Sequence, residues 1–70
     1  MAKKIWQGSP PLECDICRGR IQGIFIDGAT RSGPWGCMCP ECHRTQGRGI
    51  GQGQGQVYMK QGNDWVKSAG

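Results

Sequence analysis

The sequence predicts a small, mostly β domain that hydrophobic burial alone does not hold together. Three observations point there. The chain has 70 residues, 13 of them glycine, so large apolar side chains are few and the ordering cost of folding is high. Its β-branched and aromatic residues fall in short runs between turn signals, with no sustained helical period. Four of its five cysteines form two Cys-x-x-Cys pairs, Cys14/Cys17 and Cys39/Cys42, with 21 residues between them. A chain this short needs a staple, and those pairs are the candidates.

Residues 1–11 read as a flexible basic arm ending in Pro10-Pro11, which blocks helix and favours extended chain. Residues 12–70 read as one domain. Leu12 to Arg20 carries the first cysteine pair. Ile21 to Asp27 reads as a strand, and the run Ile24-Phe25-Ile26 implies cover on both faces. Asp27-Gly28 and Ser32-Gly33-Pro34 are turn signals on either side of Ala29-Thr30-Arg31. Trp35 to Met38 is expected as a returning strand that delivers the chain into the second pair.

Residues 47–56, GRGIGQGQGQ, carry glycine at every second position through Gly55. That period matches a strand or extended segment with Arg48, Ile50, Gln52, Gln54 and Gln56 on one face. The composition also matches a flexible linker, and taken alone it favours the linker. Residues 57–67 predict a β-hairpin, with Val57 to Lys60 and Asp64 to Lys67 flanking Gln61-Gly62-Asn63 and with Tyr58 and Trp65 packing across it.

The chemistry of the staple follows from compartment and spacing. No stretch is apolar and long enough for a signal-peptide core or a membrane span. The expected setting is therefore a reducing cytoplasm, with no membrane partner, where closely spaced cysteines bind metal more often than they pair. Cys39-Pro40-Glu41-Cys42-His43 also has the C-x-x-C-H form of c-type haem attachment, but that chemistry needs export and a large apolar pocket. Two residues between cysteines allow a tight turn that aims both sulfurs at one ion, and Pro40 presets φ for such a turn. Two knuckles of this kind make a tetrahedral four-cysteine site, the arrangement of a zinc ribbon.

One structural Zn²⁺ on Cys14, Cys17, Cys39 and Cys42 is the expected cofactor. Cys37 would form a cramped chelate with Cys39, and His43 adjoins Cys42, where neighbouring side chains diverge. Cys37 is expected as a small buried hydrophobe, and His43 as a neighbour of the knuckle. Cys-Pro-Glu-Cys also resembles half of a rubredoxin iron site, but such sites place glycine soon after each pair, and Arg18 and His43 follow here. Zinc is preferred.

With that frame in place, residues 25 to 58, FIDGATRSGPWGCMCPECHRTQGRGIGQGQGQVY, resemble a family of small phage-encoded proteins. Their core reads F-I/V-D-G-x-T-x-x-G-P-W-A-N-M-C-x-x-C-H, followed by G-x-G-x-G-x-G-x-Y. The resemblance extends to Cys14-Asp15-Ile16-Cys17 and to the tail from Tyr58 to Lys67. Cys37 stands where that pattern has asparagine, which implies that the metal does not need it. The resemblance implies a viral zinc-ribbon-like protein made in the cytoplasm of a bacterial host, and a structured role for the glycine repeat. It implies no particular activity.

The formal net charge is +4; four thiolates on one divalent cation would lower it to about +2. Arg18, Arg20, Arg44 and Arg48 flank the knuckles, and Lys3 and Lys4 add charge from the arm, so a non-catalytic module for DNA or RNA is the first expectation. Trp35 or Tyr58 would stack on bases. A host-protein binder, with the glycine-rich segment adding as a strand to a partner's sheet, is the alternative; a rubredoxin-like electron carrier ranks below both. An enzyme is not expected. A four-cysteine site has no open position for water, a nuclease of the HNH type needs more than one histidine, and the H-x-E of a zinc deaminase is missing. A monomer is favoured over an oligomer.

Overall fold

The computed structural model describes residues 4–70. Among them β1 (Ile24–Ala29), β2 (Trp35–Met38), β3 (Gly55–Gln61) and β4 (Asp64–Ala69) form one antiparallel sheet in the order β2-β1-β3-β4, and α1 (Pro40–Gln46) joins β2 to β3. The expected small mostly-β fold is present, including the returning strand at Trp35 to Met38 and the C-terminal hairpin around Gly62-Asn63.

The core grows from β1. Phe25 is fully buried and lies opposite Tyr58 of β3, the two rings stacked with centroids 5.3 Å apart and planes 14° apart. Trp65 of β4 tilts against Phe25 at 5.0 Å. Trp6 meets Phe25 and Tyr58 edge-on, each at 5.2 Å. Edge and offset contacts of this kind add to the area the rings bury. Cys14, Ile21 and Met38 belong to the same buried cluster, so the aromatic core and the first cysteine share one interior.

Trp6 changes the account of the N-terminal segment. In place of a loose arm, Lys4 to Trp6 runs along β4: Lys67 donates its amide to the Lys4 carbonyl, Trp6 donates to the Trp65 carbonyl, and Ile5 pairs with Val66. The segment covers the sheet edge that β4 would otherwise expose. Lys3 lies outside the described residues.

Three other expectations are corrected. Asp27-Gly28 is not a turn but part of β1, and the chain reverses instead at Thr30 to Pro34, where the Thr30 amide and hydroxyl both donate to the Pro34 carbonyl. Gly28 pairs with Gly36 on one side and Gly55 on the other. A Cβ at Gly28 would lie 2.7 Å from the Gln54 carbonyl oxygen and 2.8 Å from Gly55 Cα. It is glycine because backbone packs on backbone there.

The glycine repeat is not an extended strand through residue 56. Gly49, Gly51 and Gly53 have φ of +125°, +145° and +78°, and residues 51–55 close into a turn in which the Gln54 and Gly55 amides donate to the Gly51 carbonyl. Alternating glycine supplied left-handed backbone, not one bare strand face. Finally, α1 was not expected. Its seven residues bury none of their side chains, so no amphipathic period exists to be read. It forms because Cys39 caps it, Pro40 opens it, and Glu41 and His43-Arg44 carry the charges suited to its two ends.

Replacing Trp6 by alanine should lower stability by about 2 kcal/mol, below the roughly 3–5 kcal/mol of a fully buried aromatic. In a domain this size that is a fall of roughly 10 °C in Tm. A flexible arm would leave the melting curve in place.

Candidate metal centre

The first knuckle is a miniature hairpin. Glu13 pairs with Arg20, the Ile21 amide donates to the Leu12 carbonyl, and Cys14 donates to the Gly19 carbonyl at 2.8 Å. Within the loop the amide of Ile16 points at Cys14 Sγ (3.4 Å) and that of Gly19 at Cys17 Sγ (3.3 Å). Arg18 takes φ of +64° to complete the turn, the left-handed conformation that glycine adopts most cheaply. The second knuckle is the start of α1. Cys39 is its N-cap, and its sulfur accepts from the Cys42 amide at 3.5 Å.

Asp15 joins the two halves. Its amide donates to the Cys37 carbonyl and its carboxylate accepts from the Cys37 amide, both at 2.8 Å. The loop thereby pairs with the outer edge of β2, one residue after Cys14 and two before Cys39. That bridge sets the distance between the knuckles.

As a result Cys14, Cys17, Cys39 and Cys42 bring their sulfurs within 4.8 Å of one another. All are free thiols, and the Cys17 and Cys39 sulfurs are 3.9 Å apart, far beyond a disulfide bond of about 2.05 Å. A tetrahedron with metal–sulfur bonds of about 2.3 Å has edges of about 3.8 Å. The donor set, its spacing and the amides aimed at three of the sulfurs all fit a tetrathiolate metal site.

The electrostatics agree. Burial pushes the Cys14 thiol up, but the amides of Cys17, Cys39 and Ile16 and the Cys42 thiol all favour its thiolate, and the net shift is downward. Cys42 moves the other way, because burial and the neighbouring cysteines disfavour a second charge. The metal-free cluster therefore gathers negative charge on Cys14 while holding a proton on Cys42, a pair that titrates as a unit. A cation is what lets the remaining thiolates form together.

Neither competitor enters the cluster. Cys37 is half-buried against the core, and its thiol is pushed up to about 11 by burial and by the charges of Asp27, Asp15 and Cys14. His43 Nε2 donates instead to the Gly49 carbonyl at 2.9 Å and ties α1 to the glycine turn. Gly47 completes that packing, since a Cβ there would collide with the His43 ring and lie 2.7 Å from the His43 carbonyl.

The basic residues do not form one patch. Arg18 and Arg20 line a shallow depression with Leu12 and Glu13 beside the first knuckle. Arg44 lies on α1, 3.8 Å from the equally exposed Glu41, and Arg48 follows α1. Lys4 is on the β4 side of the sheet. Arg31, to which the sequence alone assigns no role, is brought to the segment that carries Arg48 by the pairing of Thr30 with Gly47, and its Nε donates to the Gly47 carbonyl at 3.4 Å. No local signal could have joined residues 31 and 48, because only the pairing of Thr30 with Gly47 does so. Comparison with protein-family models, curated proteins and solved structures finds no match to this chain.

Two outcomes test this centre. Cys37→Ser should leave zinc stoichiometry and affinity unchanged, whereas Cys14→Ser should lose tight binding and cooperative melting, as chelation should in the unaltered protein. Zinc affinity should also rise with pH across neutrality, because the Cys42 proton must leave on binding. Competition with a chromophoric chelator should show about a tenfold gain per pH unit for each proton displaced; a flat profile would contradict the assignment.

Proposed function

We propose that the chain is a zinc-stapled, non-catalytic binding module whose partner is nucleic acid. Zn²⁺ held by Cys14, Cys17, Cys39 and Cys42 supplies cross-linking of two chain segments and no redox chemistry. All four positions being protein thiolates, the ion has a structural role. The resemblance of residues 25–58 to a phage family supports a viral origin and work in the cytoplasm of a bacterial host. No helix among the described residues is long and apolar enough to cross a membrane.

The observation that carries the partner class is an imbalance of pairing. Asp15 is engaged by the Cys37 amide and Asp27 by the Trp35 indole. The ion pair found among the described residues is Arg44–Glu41. The exposed Arg18, Arg20, Arg31 and Arg48 are left without a carboxylate partner, the condition in which guanidinium groups meet phosphate.

A second reading, a protein partner, has its own observation. Ile5, Val66, Met59 and Ile24 stand opposite one another across four adjacent backbones, and Ile5 and Met59 are exposed. That row, and not the closed glycine turn, is the surface such a partner would use.

Labelled single-stranded and duplex oligonucleotides titrated over a salt series separate these readings. Nucleic-acid binding predicts affinity that falls with salt, with a log–log slope of about −2 for some three phosphate contacts on a single strand. No association at low salt would overturn it. The metal-loaded protein should be colourless; a red protein with visible charge-transfer bands would favour iron and electron transfer.

A further inference from the structure

A domain this short of apolar burial nonetheless leaves one of its three tryptophans in solvent. Trp35 is 52% exposed, while Trp6 and Trp65 pack into the aromatic core. Tyr58, the other stacking candidate, is 3% exposed and covered by Phe25 and Trp6, so it has no free face. Trp35 is not loose, either. Its indole N–H donates to Asp27 Oδ1 at 2.6 Å, a short bond to a carboxylate. With the ring nitrogen satisfied and the ring held, what remains for a partner is the flat π face.

The Asp27 carboxylate holds the ring, and the sheet register places two arginines on segments next to Ala29, the cross-strand partner of Trp35. Trp35 lies across from Ala29 on one side. On the other, Arg48 donates its amide to the Ala29 carbonyl at 3.1 Å. The two backbones that flank Ala29 are thus about 10 Å apart, two strand spacings, and only an alanine methyl stands between them. Arg31 follows two residues after Ala29 and is steadied through Nε on the Gly47 carbonyl, which leaves its terminal nitrogens for an outside acceptor.

We infer that this corner, Trp35 with Arg31 and Arg48, takes single-stranded nucleic acid, one base stacking on Trp35 and the adjoining phosphates meeting the two arginines. The inference rests on the nucleic-acid reading above and narrows it. A duplex keeps its base faces inside the stack and has none to offer an immobile ring; a single strand offers one at every nucleotide. Base stacking tolerates any sequence, so the contact is expected to be sequence-indifferent. Arg18 and Arg20, beside the first knuckle, lie outside this corner.

The test uses the full-length, zinc-loaded protein with a short labelled oligothymidylate, the matching oligouridylate, and a duplex of the same length. The single strands should bind more tightly than the duplex. Trp35→Ala should weaken single-strand binding on the order of ten- to a hundredfold, the usual effect of removing one stacking ring, while Trp35→Phe retains most of it. Arg18→Ala should cost far less than Arg48→Ala. Hydroxyl-radical footprinting of the unaltered protein adds a readout that needs no variant: each single strand that binds should, at saturation, protect Trp35 and leave Trp6 and Trp65 unchanged.

Wild-type protein that binds no nucleic acid at all would overturn the broader reading. Wild-type binding that Trp35→Ala leaves intact, footprints that spare Trp35, or a preference for duplex would overturn this inference alone. Binding of both single strands supports the corner as drawn, and binding of one assigns DNA or RNA as its ligand.

Discussion

Four sulfurs converging on one point are the constraint on which the rest of this protein depends. They come from a hairpin loop before β1 and from the junction of β2 with α1. Metal-free, their convergence sets cysteine against cysteine: the environment favours a thiolate on Cys14 and disfavours one on Cys42. A divalent cation turns that conflict into attraction, and because no such site exists in the unfolded chain, its binding energy acts as folding energy. Cys14 also belongs to the buried cluster of Phe25, Met38 and Tyr58, so an ion held there would stabilise the same interior as the aromatic core.

Much of the remaining architecture hangs from that point. Asp15 carries the first knuckle onto β2, and Cys39 caps the helix that holds Cys42. One residue later His43 reaches the Gly49 carbonyl, and the turn it steadies lays the Gln54 carbonyl over Gly28 and onto the Ala29 amide. The chain of contacts thus runs from the sulfurs, through a seven-residue helix, to the end of β1, where Trp35 and Arg48 flank Ala29 on either side. A helix this short is marginal in isolation, so its order depends on what is attached to its ends.

What was legible in the sequence was periodic or spaced. The two Cys-x-x-Cys pairs announced the cluster, a β-branched and aromatic run announced β1, and turn residues announced the returning strand β2 and the C-terminal hairpin. Signals that have two physical meanings were misread. Glycine at every second position matches a strand face, yet Gly49, Gly51 and Gly53 are there for positive φ. Asp27-Gly28 has turn composition, yet Gly28 answers to the close approach of Gln54 and Gly55. The role of Trp6 and the joining of the segments that carry Arg31 and Arg48 depend on pairings between distant residues, which no local pattern encodes.

X-ray absorption at the metal edge of the purified protein tests the central claim most directly. A tetrathiolate staple predicts zinc with a single shell of four sulfurs at about 2.3 Å. A shell containing nitrogen at about 2.0–2.1 Å, which would bring His43 into coordination and away from Gly49, would contradict it.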